Sequence, residues 1–183
     1  MARSDEVIVL SQHKYTLSIL KNTNFAESKP TSFLLESNLR LSSSDGELLE
    51  DPTSYRRLIG RLMYLTISCP HITFSQFLSQ PRTIHLHALH HLLRYIRGTV
   101  GQGLLFSKSS EKRLMAYVDA DWAGCLDTRQ NVTGFYVFIG DSLVAWRSKK
   151  QITVSRSSIK FEYQAMAAAA AELTWLKGLL FDF

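Results

Sequence analysis

Near Ser107 to Lys112 the hydrophobic period of this chain changes from helical to strand-like, and that change limits the folds open to it. Before it, apolar residues recur in steps of three and four: Tyr15 and Ile19, with Leu20 beside them; Leu58, Leu62 and Leu65; Leu86, Leu89, Leu93 and Ile96. Such steps line up on one side of a helix. After it come short runs rich in Val, Tyr and Phe, the pattern of strands. The expectation is an α+β chain in two parts. Residues 1–108 are predicted to be mainly helical, and residues 109–183 to build a mixed sheet with one long packed helix.

Local signals place the elements. Val7 to Leu10 reads as a short strand and His13 to Phe25 as a helix. Lys29 to Asp51 holds Pro30 and the run Ser42-Ser43-Ser44-Asp45-Gly46, a linker composition. Proline is tolerated in a first helical turn, so a helix is predicted from Pro52 to about Ser68, with Pro70 as its stop. Another spans Thr83 to Ile96 and ends at Gly98. Arg113 to Ala120 is apolar on both faces and is predicted to be a central strand. Val132 to Ile139 and Leu143 to Arg147 follow as strands joined by Gly140-Asp141, a hairpin turn. Ser157 and Ser158 can cap a helix from about Ile159 to Leu180.

Composition excludes several classes. No run approaches the ~18 apolar residues of a membrane span. The first residues lack an apolar signal core, and Asp5 and Glu6 argue against a transit peptide. Cys69 and Cys125 stand alone, which fits neither a disulfide framework nor a zinc site and points to a reducing compartment, cytoplasm or nucleus. The net charge is +5, and its distribution matters more than its size. Between Pro52 and Ser110 there is no acidic residue, while Arg56, Arg57, Arg61, Arg82, Arg94, Arg97 and Lys108 all lie there. A field of one sign attracts phosphate backbones. A solvated basic face without a partner has the same composition.

Two carboxylates occupy costly positions. Asp119 ends the predicted central strand, and Glu162 falls in the first turns of the last helix. Helical projection puts Glu162 in line with Ala165, Met166, Ala169, Leu173, Leu176 and Leu180, the stripe expected to face the sheet. A carboxylate on an apolar face costs several kcal/mol unless compensated. A divalent metal shared with Asp119 would compensate it; solvent exposure at the helix N-terminus is the other reading. Asp121 shares the face of Asp119 if the strand continues that far. Acids on both elements suit two-metal nuclease chemistry. His87 and His91 are four apart on a helix, but no Asp, Glu or Cys stands nearby in sequence to complete a site, so packing is the expected role of His85, His87, His90 and His91. Trp122 and Trp146 are likewise expected in packing rather than on nucleobases.

Longer motifs carry a resemblance. They are Tyr117-Val118-Asp119-Ala120-Asp121-Trp122-Ala123-Gly124, Thr133-Gly134-Phe135, Ala145-Trp146-Arg147-Ser148-Lys149-Lys150-Gln151, Val154-Ser155-Arg156-Ser157-Ser158 and Glu162-Tyr163-Gln164-Ala165. Together they resemble the ribonuclease H region of plant Copia-type retrotransposon Pol polyproteins. Tyr55-Arg56-Arg57-Leu58-Ile59-Gly60-Arg61-Leu62 and Arg94-Tyr95-Ile96-Arg97-Gly98-Thr99 resemble the tail of that family's reverse transcriptase. The resemblance implies a thumb- or connection-like first part, a truncated ribonuclease H-like second part, and an ancestry in RNA-directed DNA synthesis coupled to cleavage of RNA–DNA hybrids. It implies Asp119 and Glu162 as catalytic, magnesium-binding acids. The charge of the acid-free tract and the cations beside those acids make Arg56, Arg57, Arg61, Arg94, Arg97, Lys149 and Lys150 the candidate nucleic-acid contacts, with a solvated face as the alternative. The family's paired-Asp polymerase motif would lie upstream and the next nuclease Asp beyond Phe183. His71 stands where relatives carry Asp. The expectation is a decayed remnant, inactive by itself, with magnesium not bound productively. Two alternatives stay open: a nucleic-acid-binding module without catalysis, and a nuclease completed by another chain.

Overall fold

The computed structural model describes residues 1–34, 41–69, 77–121, 132–150 and 157–182, without the side chains of Asp121 and Lys150. Its elements are β1 (Ala2–Arg3), β2 (Val7–Leu10), α1 (His13–Asn22), α2 (Pro52–Leu65), α3 (Thr83–Gly98), β3 (Leu104–Ser107), β4 (Leu114–Asp121), β5 (Val132–Ile139), β6 (Ser142–Lys150) and α4 (Ser158–Phe181). The chain is α+β. It divides into two compact units, Leu10–Leu104 and the pair Met1–Val9 with Leu105–Phe183. A linear division at residue 108 assigns the first residues to the helical part. They belong with the second unit because β2 lies between β1 and β3 in one small sheet.

In the helical unit, α2 begins as its sequence demands. The Asp51 carboxylate accepts from the backbone N–H groups of Thr53 and Ser54, and Pro52 takes the first helical position. Those bonds hold the Asp51 carboxyl below its ordinary pKa, the Ser54 hydroxyl contributing most. α3 is capped by its own histidine: His85 Nδ1 accepts from the Arg82 N–H at 3.0 Å. With Nδ1 accepting, Nε2 carries the proton and donates to the Ser42 carbonyl at 2.9 Å. The core joins Ile19 and Leu20 of α1, Tyr55, Ile59, Leu62 and Leu65 of α2, and Leu89, Leu92, Leu93 and Ile96 of α3. Cys69 is buried in the same cluster, and burial raises its thiol pKa.

In the second unit, β4, β5 and β6 form an antiparallel sheet in that order. Gly140 and Asp141 make the two-residue turn between β5 and β6, with φ +57° at Gly140. A Cβ there would strike the Glu111 carbonyl, so the position calls for glycine. A register shift follows Val137, where β6 takes an extra residue. β4 differs from the central strand expected. Among the described strands only β5 pairs with it, and Tyr117 is 60% exposed.

Candidate functional site

Side chains alternate between the two faces of a strand, and residues opposite each other in a ladder share a face. α4 covers the face carrying Phe135 and Val137, against which Ala169, Leu173 and Leu176 pack with Leu114 and Ala116. Ala116 pairs with Val137, Val118 with Phe135 and Ala120 with Thr133, so these β4 residues share the helix-covered face. Asp119 pairs with Gly134 and stands on the other face, with Tyr117, Tyr136 and Phe138. The edge-to-face contact of Tyr117 and Phe138 at 5.8 Å marks that side. Asp119 is thus turned away from the helix that bears Glu162.

The helical projection holds for Ala165, Ala169, Leu173 and Leu176 and fails for Glu162, Met166 and Leu180. The buried stripe of α4 is Phe161, Ala165, Ala169 and Leu176, with Glu172 and Leu173 half-buried. Glu162 is exposed, as are Met166 (56%) and Leu180 (46%). Asp119 is exposed as well. Neither acid meets the burial that would demand a compensating cation, so the desolvation argument for a shared metal does not hold. Among the described residues no group of three or more His, Cys, Asp or Glu gathers. A magnesium ion keeps oxygen ligands in near-octahedral order, and the described donors do not assemble that set. The side chains of Asp121 and Lys150, with Trp122, Cys125, Arg156 and His71, lie outside the described residues.

The basic tract divides into two groups. Arg56 donates from Nε to the Leu78 carbonyl at 2.7 Å and from a terminal nitrogen to that of Ser79 at 2.8 Å. Arg82 donates to the carbonyls of Ser43 and Gly46, and Arg97 Nε to that of Ala26 at 2.6 Å. Arg61 reaches the Ser18 hydroxyl at 3.3 Å and, with its amide turned, Asn22. These guanidinium groups tie loops and α1 to α2 and α3. Arg57, Arg94 and Lys149 are exposed, and among the described residues Arg57 and Arg94 show no side-chain hydrogen bond. Space also softens the run of one sign. Glu47, Glu50 and Asp51, just before the acid-free tract, share with Arg57 and Arg61 a cleft of about 860 Å³.

His85, His90 and His91 pack as expected, whereas His87 is exposed. His85 is fully buried and stacks on Phe77 with centroids 4.1 Å apart, and His91 lies near the Leu34 carbonyl at 3.4 Å. His90 lies against Phe25, and burial, reinforced by Arg94 and His87, lowers its pKa. Sequence reasoning missed one arrangement: Arg147, Lys149 and Gln164 line a cavity between β5, β6 and α4. Its only sequence signal is Arg147 and Lys149 two apart on one strand.

These features describe a helical unit and, separately, a helix-covered antiparallel sheet, each with exposed cations. Comparison with known proteins supplies the family. The chain is 40% identical over 173 residues to the uncharacterized mitochondrial protein AtMg00810 of Arabidopsis thaliana, covering 92% of this chain and 72% of that protein. It is 39% identical over 176 residues to the retrovirus-related Pol polyprotein from transposon RE1 of the same plant, covering 93% of this chain and 12% of the polyprotein. It is 34% identical over 192 residues to that from transposon TNT 1-94 of Nicotiana tabacum, covering 97% of this chain and 14% of the polyprotein. No family model matches, and no solved structure matches. The chain belongs to the Copia-type retrotransposon Pol polyprotein family. Among the described residues no helix is long and apolar enough to cross a membrane.

Proposed function

We propose that this stretch descends from the polymerase–ribonuclease H junction of a Pol polyprotein and is catalytically inactive by itself. In this reading residues 1–108 come from the thumb- or connection-like end of the reverse transcriptase, and residues 109–183 from a ribonuclease H-like domain. Support for the lineage comes from the Pol polyproteins matched across nearly the whole chain. The observation that carries inactivity is the β4 register, which turns Asp119 away from the face covered by the Glu162 helix. Two-metal hydrolysis needs carboxylates converging on both ions, and catalytic geometry tolerates errors of only about half an ångström. Magnesium belongs to the ancestral reaction, and Asp119 with Glu162 makes no cradle for it here. The test is cleavage of an RNA–DNA hybrid by the purified chain with magnesium. No cleavage above background is expected. Magnesium-dependent cleavage abolished by Asp119→Asn would overturn the reading and favour a live nuclease.

A second reading, a nucleic-acid-binding module without catalysis, is favoured by the exposure of Arg57 and Arg94. It expects salt-sensitive, sequence-indifferent binding to RNA–DNA hybrid. Each phosphate contact removed should lower the log–log salt slope by about 0.9. An unchanged slope in the Arg57→Ala, Arg94→Ala double variant would count against it.

A further inference from the structure

We infer that the cavity between β5, β6 and α4 is an oxyanion site that takes a phosphate group. It is lined by Thr133, Phe135, Arg147, Lys149, Gln164, Ala165 and Ala168, and measures about 280 Å³. Arg147 and Lys149 alternate on β6, so both stand on the helix-covered face, with α-carbons about 7 Å apart. Among the described residues no Asp or Glu lines the cavity with them. Two cations at one opening repel each other, and a bound anion relieves that repulsion. The Arg147 guanidinium offers forked donors matched to a phosphate, and the Lys149 ammonium a point charge. Gln164 adds an amide donor from the helix side.

The other walls explain why the space stays open. Ala165 and Ala168 carry no side chain long enough to fill it, while Phe135 supplies an apolar floor. The Thr133 hydroxyl donates to the Lys149 carbonyl at 3.4 Å, so it braces the strand pair below the opening. At about 280 Å³ the space takes a phosphate group together with several waters of about 30 Å³ each. The inference goes beyond the Pol reading, since it needs neither metal nor cleavage. Its phosphate can be free or one unit of a nucleic-acid backbone.

The experiment uses the whole 183-residue chain. Inorganic phosphate replaces chloride at constant ionic strength while NMR follows the Gln164 side-chain amide and the Ala165 and Ala168 backbone amides. Saturable shifts at these positions are expected. Arg147→Gln with Lys149→Gln should weaken binding about tenfold or more. Ala168→Leu should weaken it comparably, because it fills the cavity and leaves both charges; Ala168 is exposed, so the fold should accept the longer side chain. A parallel titration with a short RNA–DNA hybrid separates the sources. Competition between phosphate and hybrid assigns the site to a backbone phosphate. Phosphate binding with hybrid affinity unchanged by Ala168→Leu assigns it to a free phosphate ligand. Either result supports the site. Absence of saturable phosphate-specific shifts overturns it, and so does an Ala168→Leu chain that binds phosphate like the parent.

Discussion

The helical unit and the sheet unit place similar amounts of apolar sequence in different ways. In Leu10–Leu104, three helices surround a shared interior, and residues from Ile19 to Ile96 lose nearly all contact with solvent. In the second unit the buried cluster is small, centred on Phe135, Val137, Ala169 and Leu176. Many of its other apolar residues stay outside: Tyr117, Tyr136, Tyr163, Met166, Trp175 and Leu179 are all exposed. Both regions hold many Leu and aromatic residues, so those types do not separate them. Enclosure does. Three helices can cover one another on their inner sides, whereas one helix over a sheet covers one sheet face only.

The largest test of this contrast is Leu89→Ala, which leaves a cavity in the closed core. It should cost about 2–5 kcal/mol, read by urea unfolding monitored through α3 amide exchange. A loss under about 1 kcal/mol would mean the helical core is looser than its burial states. Next is Arg97→Ala. It removes the donor to the Ala26 carbonyl and should cost about 1–3 kcal/mol, while Arg94→Ala should stay within about 0.5 kcal/mol. Equal effects from the two would erase the division between bracing and surface arginines.

A pH titration sharpens the contrast further. Burial lowers the His90 pKa in the folded state. Above its unfolded value of about 6.5 both states are neutral there and the helical unit keeps its full stability. As pH falls below that value and on through the folded pKa, the unfolded chain takes the proton first and stability is lost. His90→Gln should flatten this fall, while the exchange of β5 and β6 amides should not follow it. At the opposite end of the scale, burial pushes the Tyr55 phenol up to about 12. Its ultraviolet ionisation should lag behind that of the exposed tyrosines, and stability should decline as pH rises from about 10 through that value. The smallest expected effect is that of Tyr117→Thr on the open sheet face, within about 0.5 kcal/mol. A cost above about 2 kcal/mol would mean that this face is covered.

The helices and strands of this chain were largely legible because their signals are local. Pro52 after Asp51, the Gly140-Asp141 turn and Ser157 before the last helix are each read within four residues. The strands Ala2–Arg3 and Leu104–Ser107 were not read, since each is short and exists by pairing with β2. The edge of the inward stripe of α4, Glu162 against Phe161, was misread for a different reason. Ile159, Phe161, Tyr163, Met166, Trp175 and Leu180 place apolar side chains on all its sides, so two neighbouring stripes fit equally well. Only packing on Phe135 and Val137 selects Phe161 over Glu162 for the inward side.

The sequence by itself determined the α+β class, the order of the main elements and the family, because each rests on residues close together in the chain. It also determined how much positive charge the first part carries. Tertiary structure alone decided what that charge does. Arg56, Arg82 and Arg97 find carbonyls 22 to 71 residues away, and nothing in the spacing of arginines announces those partners. The same holds for the acids. Asp119 and Glu162 are read easily as a pair along the chain, yet strand pleat and helix phase turn them apart. One residue of slip turns a strand side chain to the other face, and about 100° of rotation moves a helical one out of its stripe. Geometry that sensitive comes from long-range packing, which a local pattern does not contain.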